Sequence, residues 1–180
     1  MLDIVNVVGS GSLNVEIDLA ALASDFPGEA KYDPGKYPGA YLKLSKNSVL
    51  ITLYSSGKYI VSGADSIEEA KAIKDRFIST VADMGVITSE ENIPFSIQNI
   101  VFTSKLGKDI NLNTLAIALG LERVEYEPEQ FPGLIFRPTD VDATLLVFAN
   151  GKIVLTGLSD VETARECYKT FKVEIEQYLE

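Results

Sequence analysis

At 180 residues and 46% hydrophobic side chains, the chain can bury a core as one compact domain or as two intimately joined halves, and nothing in it is low in complexity. Its 16 basic and 26 acidic residues leave a net charge of −10, which taken alone argues against nucleic acid; any such face must be a local basic or neutral surface on an acidic body. No apolar run nears the roughly 20 residues of a membrane span, Met1-Leu2-Asp3-Ile4 lacks the basic start of a secretory signal, and the single Cys167 cannot close an internal disulfide, so a soluble intracellular chain with no membrane partner is expected.

Ile4 to Val8 is β-rich and predicts a first strand. Gly9-Ser10-Gly11 follows it. Asn14 stands where a third glycine would complete a phosphate-binding loop, so a turn is expected there. A short helix is predicted near Leu19–Ser24. Strands over Ala40–Leu44, Val49–Tyr54 and Tyr59–Ser62 are punctuated by Pro-Gly and Gly-Lys pairs, with Ser56-Gly57 as a tight hairpin turn. Ser66 and Glu69 fit a capping box, and Ile67, Ala70, Ile73, Phe77 and Val81 recur at helical spacing as one apolar stripe. The stretch Gly85–Pro94 joins the halves, predicting repeats at 1–90 and 91–180. The second half has the same order: a strand over Ile97–Phe102, a helix over Leu112–Leu119 stopped by Gly120, and strands over Leu134–Arg137, Ala143–Phe148 and Ile153–Thr156. Asn150-Gly151 gives a hairpin turn in which both residues tolerate positive φ. An Asp160-capped helix then carries Val161, Ala164, Cys167, Phe171 and Ile175.

The halves correspond residue by residue. Tyr32-Asp33-Pro34 precedes Tyr126-Glu127-Pro128 by 94 residues, and Tyr37-Pro38-Gly39 precedes Phe131-Pro132-Gly133 by the same distance. Tyr54 to Lys58 aligns with Phe148 to Lys152, and Ser62-Gly63 with Thr156-Gly157. The repeat is too long for a solenoid unit of about 20–50 residues and has the size of a half-domain, which implies internal pseudo-two-fold symmetry. The matching partner is itself nearly two-fold, a DNA duplex or a dimer.

Strand alternation puts Leu50, Thr52 and Tyr54, and Thr144, Leu146 and Phe148, on the face opposite the helices, with Ile60, Ser62, Val154 and Thr156 beside them. Such a face is too apolar for water and calls for an occupant. Enzyme chemistry has little to stand on. The chain has no histidine, Cys167 repeats the place of Ile73 on an apolar stripe, and Asp140-Val141-Asp142 reads as a turn, so no metal or other cofactor is expected. Tyr37, Tyr54, Phe131 and Phe148 lie at Pro-Gly turns and at strand ends in both halves, a placement suited to wedges that enter a base stack.

With these residues in hand, the chain resembles the TATA-box-binding protein family over nearly its full length. The most specific motifs are Ile97-Gln98-Asn99-Ile100-Val101, the run from Tyr126 to Arg137, and Gly151-Lys152-Ile153-Val154-Leu155-Thr156-Gly157. The resemblance implies an α+β fold: two pseudo-symmetric repeats forming one curved antiparallel saddle, with helices on the convex side. It implies a non-enzymatic initiation factor that binds A/T-rich double-stranded DNA in the minor groove, bends it, and engages transcription factor B and, through it, RNA polymerase. Tyr37, Tyr54, Phe131 and Phe148 would be the intercalating rings. Asn6 and Asn99 match the asparagines donating to minor-groove acceptors, Ser62 and Thr156 the central threonines, and Val8, Val101, Ile60, Val154 and Leu146 the apolar floor. Lys43, Lys58, Arg137 and Lys152 would meet phosphates, and Glu127, Glu129 and Gln130 would meet transcription factor B, with Asp33, Gly35 and Lys36 as first-repeat equivalents.

The first repeat departs from the family pattern. Tyrosine replaces both phenylalanine wedges, Ser62 replaces threonine, Lys43 replaces arginine and Thr52 replaces an aliphatic residue. Gly63-Ala64-Asp65 and Gly157-Leu158-Ser159 lack the family's lysine in both repeats. Weaker, more salt-sensitive or otherwise altered DNA affinity follows as an expectation. Length, acidity and the missing N-terminal tail resemble the archaeal branch, which implies a cytoplasmic, nucleoid-associated protein (nuclear in a eukaryote). A competing expectation is a module of the same shape with weakened bending that acts through a protein or single-stranded nucleic acid. A second copy of the chain is a further candidate for the concave face.

Overall fold

The computed structural model of the chain describes residues 1–46 and 48–179. The chain forms two compact units, one of Asn6–Gln98 and one of Met1–Val5 with the residues from Asn99 onward. The elements of the first half are β1 (Asp3–Ser12), α1 (Leu19–Asp25), β2 (Glu29–Lys31), β3 (Ala40–Lys43), β4 (Leu50–Leu53), β5 (Lys58–Ala64) and α2 (Ile67–Asp83). Those of the second are β6 (Phe95–Lys105), α3 (Leu112–Leu119), β7 (Val124–Glu125), β8 (Leu134–Phe136), β9 (Thr144–Val147), β10 (Lys152–Leu158) and α4 (Val161–Ile175), ending in a 3-10 turn, Glu176–Tyr178. Neighbouring strands run antiparallel in the order β2-β3-β4-β5-β1 in the first unit and β6-β10-β9-β8-β7 in the second. The edge strands β2 and β7, three and two residues long, are not foreseen from the sequence.

Each long helix starts where its cap dictates. Ser66 Oγ accepts from the Glu69 N–H at 3.1 Å, and the Glu69 carboxylate accepts from the Asp65 N–H at 2.9 Å, so the box closes one residue before the cap. Asp160 caps α4 through the Thr163 N–H at 2.7 Å, and the Thr163 hydroxyl and N–H together hold its carboxyl below the ordinary value. Gly85, at φ +74°, ends α2: its N–H donates to Ala82 O and the Val86 N–H to Val81 O, both at 2.9 Å. The predicted stripes face inward. Ala70, Ile73, Phe77 and Val81 are buried, as are Ala164, Cys167, Phe171 and Ile175. Burial raises the Cys167 thiol, with the charge of Asp140 adding to it, in keeping with a core residue.

Two expectations need correction. Gly9-Ser10-Gly11 makes no turn; it lies inside β1. Its glycines serve close packing within the first unit: a Cβ on Gly9 would stand 2.2 Å from Phe95 Cζ, and one on Gly11 would stand 2.1 Å from Pro94 O and 2.5 Å from the Tyr59 hydroxyl. The hairpin turns are also of another type. Only Gly57 (φ +84°) and Gly151 (φ +74°) take positive φ, while Ser56 and Asn150 do not. Tyr54 N–H donates to Lys58 O and Gly57 N–H to Tyr54 O, each at 2.9 Å, and Phe148, Gly151 and Lys152 repeat the pattern at the same lengths. This is the three-residue loop with glycine as its left-handed bulge.

Candidate nucleic-acid interface

The sheet of each unit has a helix-facing side and an open side, and strand pairing fixes what the open side carries. In the first unit one row across the strands reads Lys31, Tyr41, Thr52, Ile60, Ser10. The equivalent row in the second reads Glu125, Ile135, Leu146, Val154, Thr103. Directly paired residues share a face, so each row is one continuous strip. The alternation is as expected: Ile51, Leu53, Leu145 and Val147 are sealed, whereas Val8, Leu50, Ile60, Ser62, Val101, Leu146, Val154 and Thr156 are half-buried. Thr52 is the exception, at 7% exposure. Residues that are apolar or hydroxyl-bearing and yet accessible form a face fit for a shallow, partly apolar surface.

The four wedge candidates pair within their own units. Phe131 and Phe148 stand edge to face, centroids 5.8 Å apart at 66°. Tyr37 and Tyr54 stand 6.2 Å apart at 54°, and their hydroxyls share a 2.5 Å hydrogen bond. That bond, with burial adding to it, raises the Tyr54 phenol above its ordinary value. All four rings are half-buried. The glycines of the Pro-Gly pairs make room for them: a Cβ on Gly133 would meet Phe131 Cε1 at 2.8 Å and Phe148 Cε1 at 3.1 Å, and one on Gly39 would meet Tyr37 Cε1 at 3.0 Å and Tyr54 Cε1 at 3.2 Å. Sequence reasoning passed over Tyr41, whose ring stacks on Tyr37 at 5.1 Å and 13°. Its counterpart Ile135 carries no ring, so comparing the repeats hides it.

The asparagines are locked by a bulge. β1 and β5 slip register between Val7 and Gly9, and β10 and β6 between Leu155 and Leu158, and Gly63 (φ +87°) and Gly157 (φ +97°) lie at those slips. Asn6 Oδ1 accepts the Gly63 N–H at 2.8 Å, and Asn99 Oδ1 accepts the Gly157 N–H at 2.8 Å. Because each oxygen is occupied by a backbone donor, the amide orientation is set and Nδ2 is the outward group. Asn99 Nδ2 donates one hydrogen to Thr156 Oγ1 at 3.1 Å. Asn6 Nδ2 makes no such bond among the described residues, although Ser62 also carries a hydroxyl.

Lys58 and Lys152 project from the hairpin ends, exposed, and Lys43 is half-buried on β3. Arg137 is exposed and ion-paired to Glu125 at 3.3 Å. Asp33 to Tyr37 and Glu127 to Phe131 form the same turn. Lys36 and Tyr37 N–H donate to Asp33 O, each at 3.0 Å, while Gln130 and Phe131 N–H donate to Glu127 O at 2.9 and 3.0 Å. Their charges differ. Lys36 neutralises Asp33 across 3.3 Å, whereas Glu127 and Glu129 are exposed without an ion-pair partner among the described residues. Among the described residues no group of three or more acidic, cysteine or histidine side chains could hold a metal ion, and no helix is long and apolar enough to cross a membrane.

The family model described as transcription factor TFIID (or TATA-binding protein, TBP) matches residues 1–84 and 94–178. The chain is 46% identical to TATA-box-binding protein C of Halobacterium salinarum, covering 98% of both chains, and 35% identical to the TATA-box-binding protein of Archaeoglobus fulgidus, covering 94% of this chain and 92% of the relative. Its fold matches the solved structure of Methanococcus jannaschii TBP with a TM-score of 0.84, at 39% identity over 98% of each chain.

Proposed function

The chain belongs to the TATA-binding protein family, and on that premise we propose that it binds A/T-rich promoter DNA in the minor groove and bends it, with 1–90 and 91–180 as the two DNA-reading repeats. The observation that carries the reading is the bulge-locked asparagine of each unit. Its oxygen is held by a glycine N–H at 2.8 Å, and its amino group is left on an otherwise apolar and hydroxyl-bearing face. The minor-groove edge of an A·T pair offers only acceptors, which amide donors suit, while a guanine amino group there would meet a donor and clash. The aliphatic strips around Ile60 and Val154 fill the groove floor, and the paired rings enter base steps. Unstacking costs a few kcal/mol per step, offset by the protein surface that a bent duplex reaches. Lys43, Lys58, Arg137 and Lys152 lie along the phosphates. Glu127, Glu129 and Gln130 present an exposed, unneutralised turn to transcription factor B, which brings RNA polymerase.

The test is end-to-end energy transfer on a labelled TATA duplex, with circular dichroism to confirm an intact fold. The wild-type chain should shorten the end-to-end distance, and Phe131→Ala with Phe148→Ala should bind more weakly and shorten it less, keeping only the bend made by the first unit's rings. A bend undiminished by the double substitution would refute the wedge assignment. A wild-type chain that neither binds nor bends at low salt would refute the function.

A further inference from the structure

The two units do not present the same chemistry to a groove, and this asymmetry predicts more than a weaker first repeat. Besides Ser10, which Thr103 matches, the open face of the first unit carries hydroxyls at Tyr37, Tyr41, Thr52, Tyr54 and Ser62. Their equivalents are Phe131, Ile135, Leu146, Phe148 and Thr156, of which only the last has one. A hydroxyl on Cζ sits at the leading tip of a wedge ring. In the Tyr37–Tyr54 pair one hydroxyl donates to the other at 2.5 Å, which consumes a single hydrogen. Lone pairs remain on both oxygens, and one O–H remains free, so the pair can both accept and donate. The Phe131–Phe148 pair, 5.8 Å between centroids, offers only carbon and hydrogen.

We propose that the Tyr37–Tyr54 hydroxyl pair accepts a hydrogen bond from a guanine amino group, so that the first unit tolerates a G·C pair at its wedge step while the second excludes it, and one G·C pair orients the protein on its promoter. The inference rests on the minor-groove reading above. The guanine 2-amino group is the only donor that the minor groove displays. Against two phenylalanines it is desolvated without a partner, which disfavours that step. Against the tyrosine pair it finds an acceptor, and the remaining O–H still serves the acceptor edge of an A·T pair. Tyr41, stacked on Tyr37 at 5.1 Å, holds the first ring in place from the side.

Fluorescence anisotropy on three duplexes tests this: an all-A/T site, the same site with one outer step changed to G·C, and one with both outer steps changed. Orientation is read by an iron chelate tethered at Lys36→Cys, whose side chain is 82% exposed, while Cys167 is buried. The wild-type chain should bind the single-G·C duplex within about threefold of the all-A/T site, with cleavage confined to the G·C end. It should lose at least about tenfold on the doubly changed site, as expected for one mismatched contact. Tyr37→Phe with Tyr54→Phe removes both hydroxyls and strands neither. Its affinity for the single-G·C duplex should fall at least about tenfold relative to its own affinity for the all-A/T duplex, and it should cleave both ends. If A/T binding stands but the wild-type chain rejects a single G·C, or the double variant keeps the orientation, the inference fails alone. If the wild-type chain does not bind the all-A/T duplex, the minor-groove reading fails and the inference goes with it.

Discussion

Asn99 holds the second repeat's bulge and also points a donor outward, and one pair of substitutions separates these roles. In Asn99→Asp a carboxylate oxygen still accepts the Gly157 N–H, now at 2.8 Å, and can still accept the Thr156 hydroxyl, now 3.3 Å from Oδ1. Only the Nδ2 donor is lost. Asn99→Ala removes the acceptor as well and leaves the Gly157 N–H without its partner, at a cost of about 1–3 kcal/mol. In a chain this long each kcal/mol lowers Tm by about 2–4 °C, so Asn99→Ala should melt several degrees below wild type and Asn99→Asp close to it. Binding sorts the variants differently. At pH 7 the aspartate is ionised. It offers an acceptor and a negative charge to an edge made only of acceptors, so both variants should lose at least about tenfold on an all-A/T duplex, a loss of the order of one base contact. Thermal melts and anisotropy at one fixed salt concentration read the two effects. If Asn99→Asp binds as tightly as wild type, the amide does not donate to the groove. If Asn99→Ala melts with wild type, the bulge does not depend on it.

Three further outcomes follow from the same geometry. A Cβ on Gly63 would stand 2.7 Å from Ser48 O and one on Gly157 would stand 3.1 Å from Asp142 O, both at positive φ. Left-handed backbone costs a non-glycine residue about 1–2 kcal/mol, so Gly157→Ala should lose about that much in urea unfolding and Gly63→Ala more; equal losses would refute the steric ranking. Tyr59, sealed in the core, has its phenol pushed up to about 12 from 10.0 by burial, with Asp75 adding to it. A raised folded-state pKa favours the protonated form in the native state. Its stabilisation is therefore complete below pH 10 and is lost as pH rises towards 12, and a Tyr59→Phe variant should show a shallower alkaline fall in Tm. Finally, counterion release gives a slope of about −0.9 per neutralised phosphate in log affinity against log salt. Four candidate cations predict about −3 to −4, with the lower value if Glu125 keeps Arg137. Fewer cations thus make binding weaker but less salt-dependent, contrary to the greater salt sensitivity expected from the sequence. Glu125→Gln should steepen the slope, and an unchanged slope would remove Arg137 from the phosphates.

The helices were legible because their signals are local. Ser66 and Asp160 are caps that bond three residues ahead, and the stripes Ala70–Val81 and Ala164–Ile175 need only helical spacing. Gly9 and Gly11 misled because their reason is distant in sequence: Phe95, Pro94 and Tyr59 fill the space where side chains would stand. The edge strands β2 and β7 are too short to show a period of two. At the interface, the rings and asparagines were legible through duplication, which marks a position without saying what it does. That Asn6 and Asn99 recur 57 and 58 residues before the glycines they cap is visible in the sequence; that the glycine N–H binds Oδ1, and so turns Nδ2 outward, is not. Duplication also hid what is unique to one half. Tyr41 has no aromatic counterpart, and Thr52 is read from the strand as an open-face residue although only 7% of it is exposed.

The net charge of −10, taken as a total, opposes the proposed function; its placement does not. Carboxylates lie in the first turns of α2 and α4, at Glu68, Glu69 and Glu162, and on the exposed turn at Glu127 and Glu129. The open face carries Lys31 and a Glu29 set opposite Lys43 in the first unit, and in the second a Glu125 already matched by Arg137. An acidic body repels the phosphate backbone at every approach except through a face that is neutral or locally basic. On the proposed function, sequence-independent affinity, which basic surfaces supply, would therefore be low, and binding would come from groove contacts that depend on the base edges. What matters for finding one promoter is the ratio of specific to non-specific binding, so acidity that weakens both can still raise the ratio. By the same logic, Lys36 neutralises the first repeat's turn while Glu127 and Glu129 leave the second repeat's turn negative, so a partner bearing a basic patch would meet the two repeats with unequal affinity and favour the second.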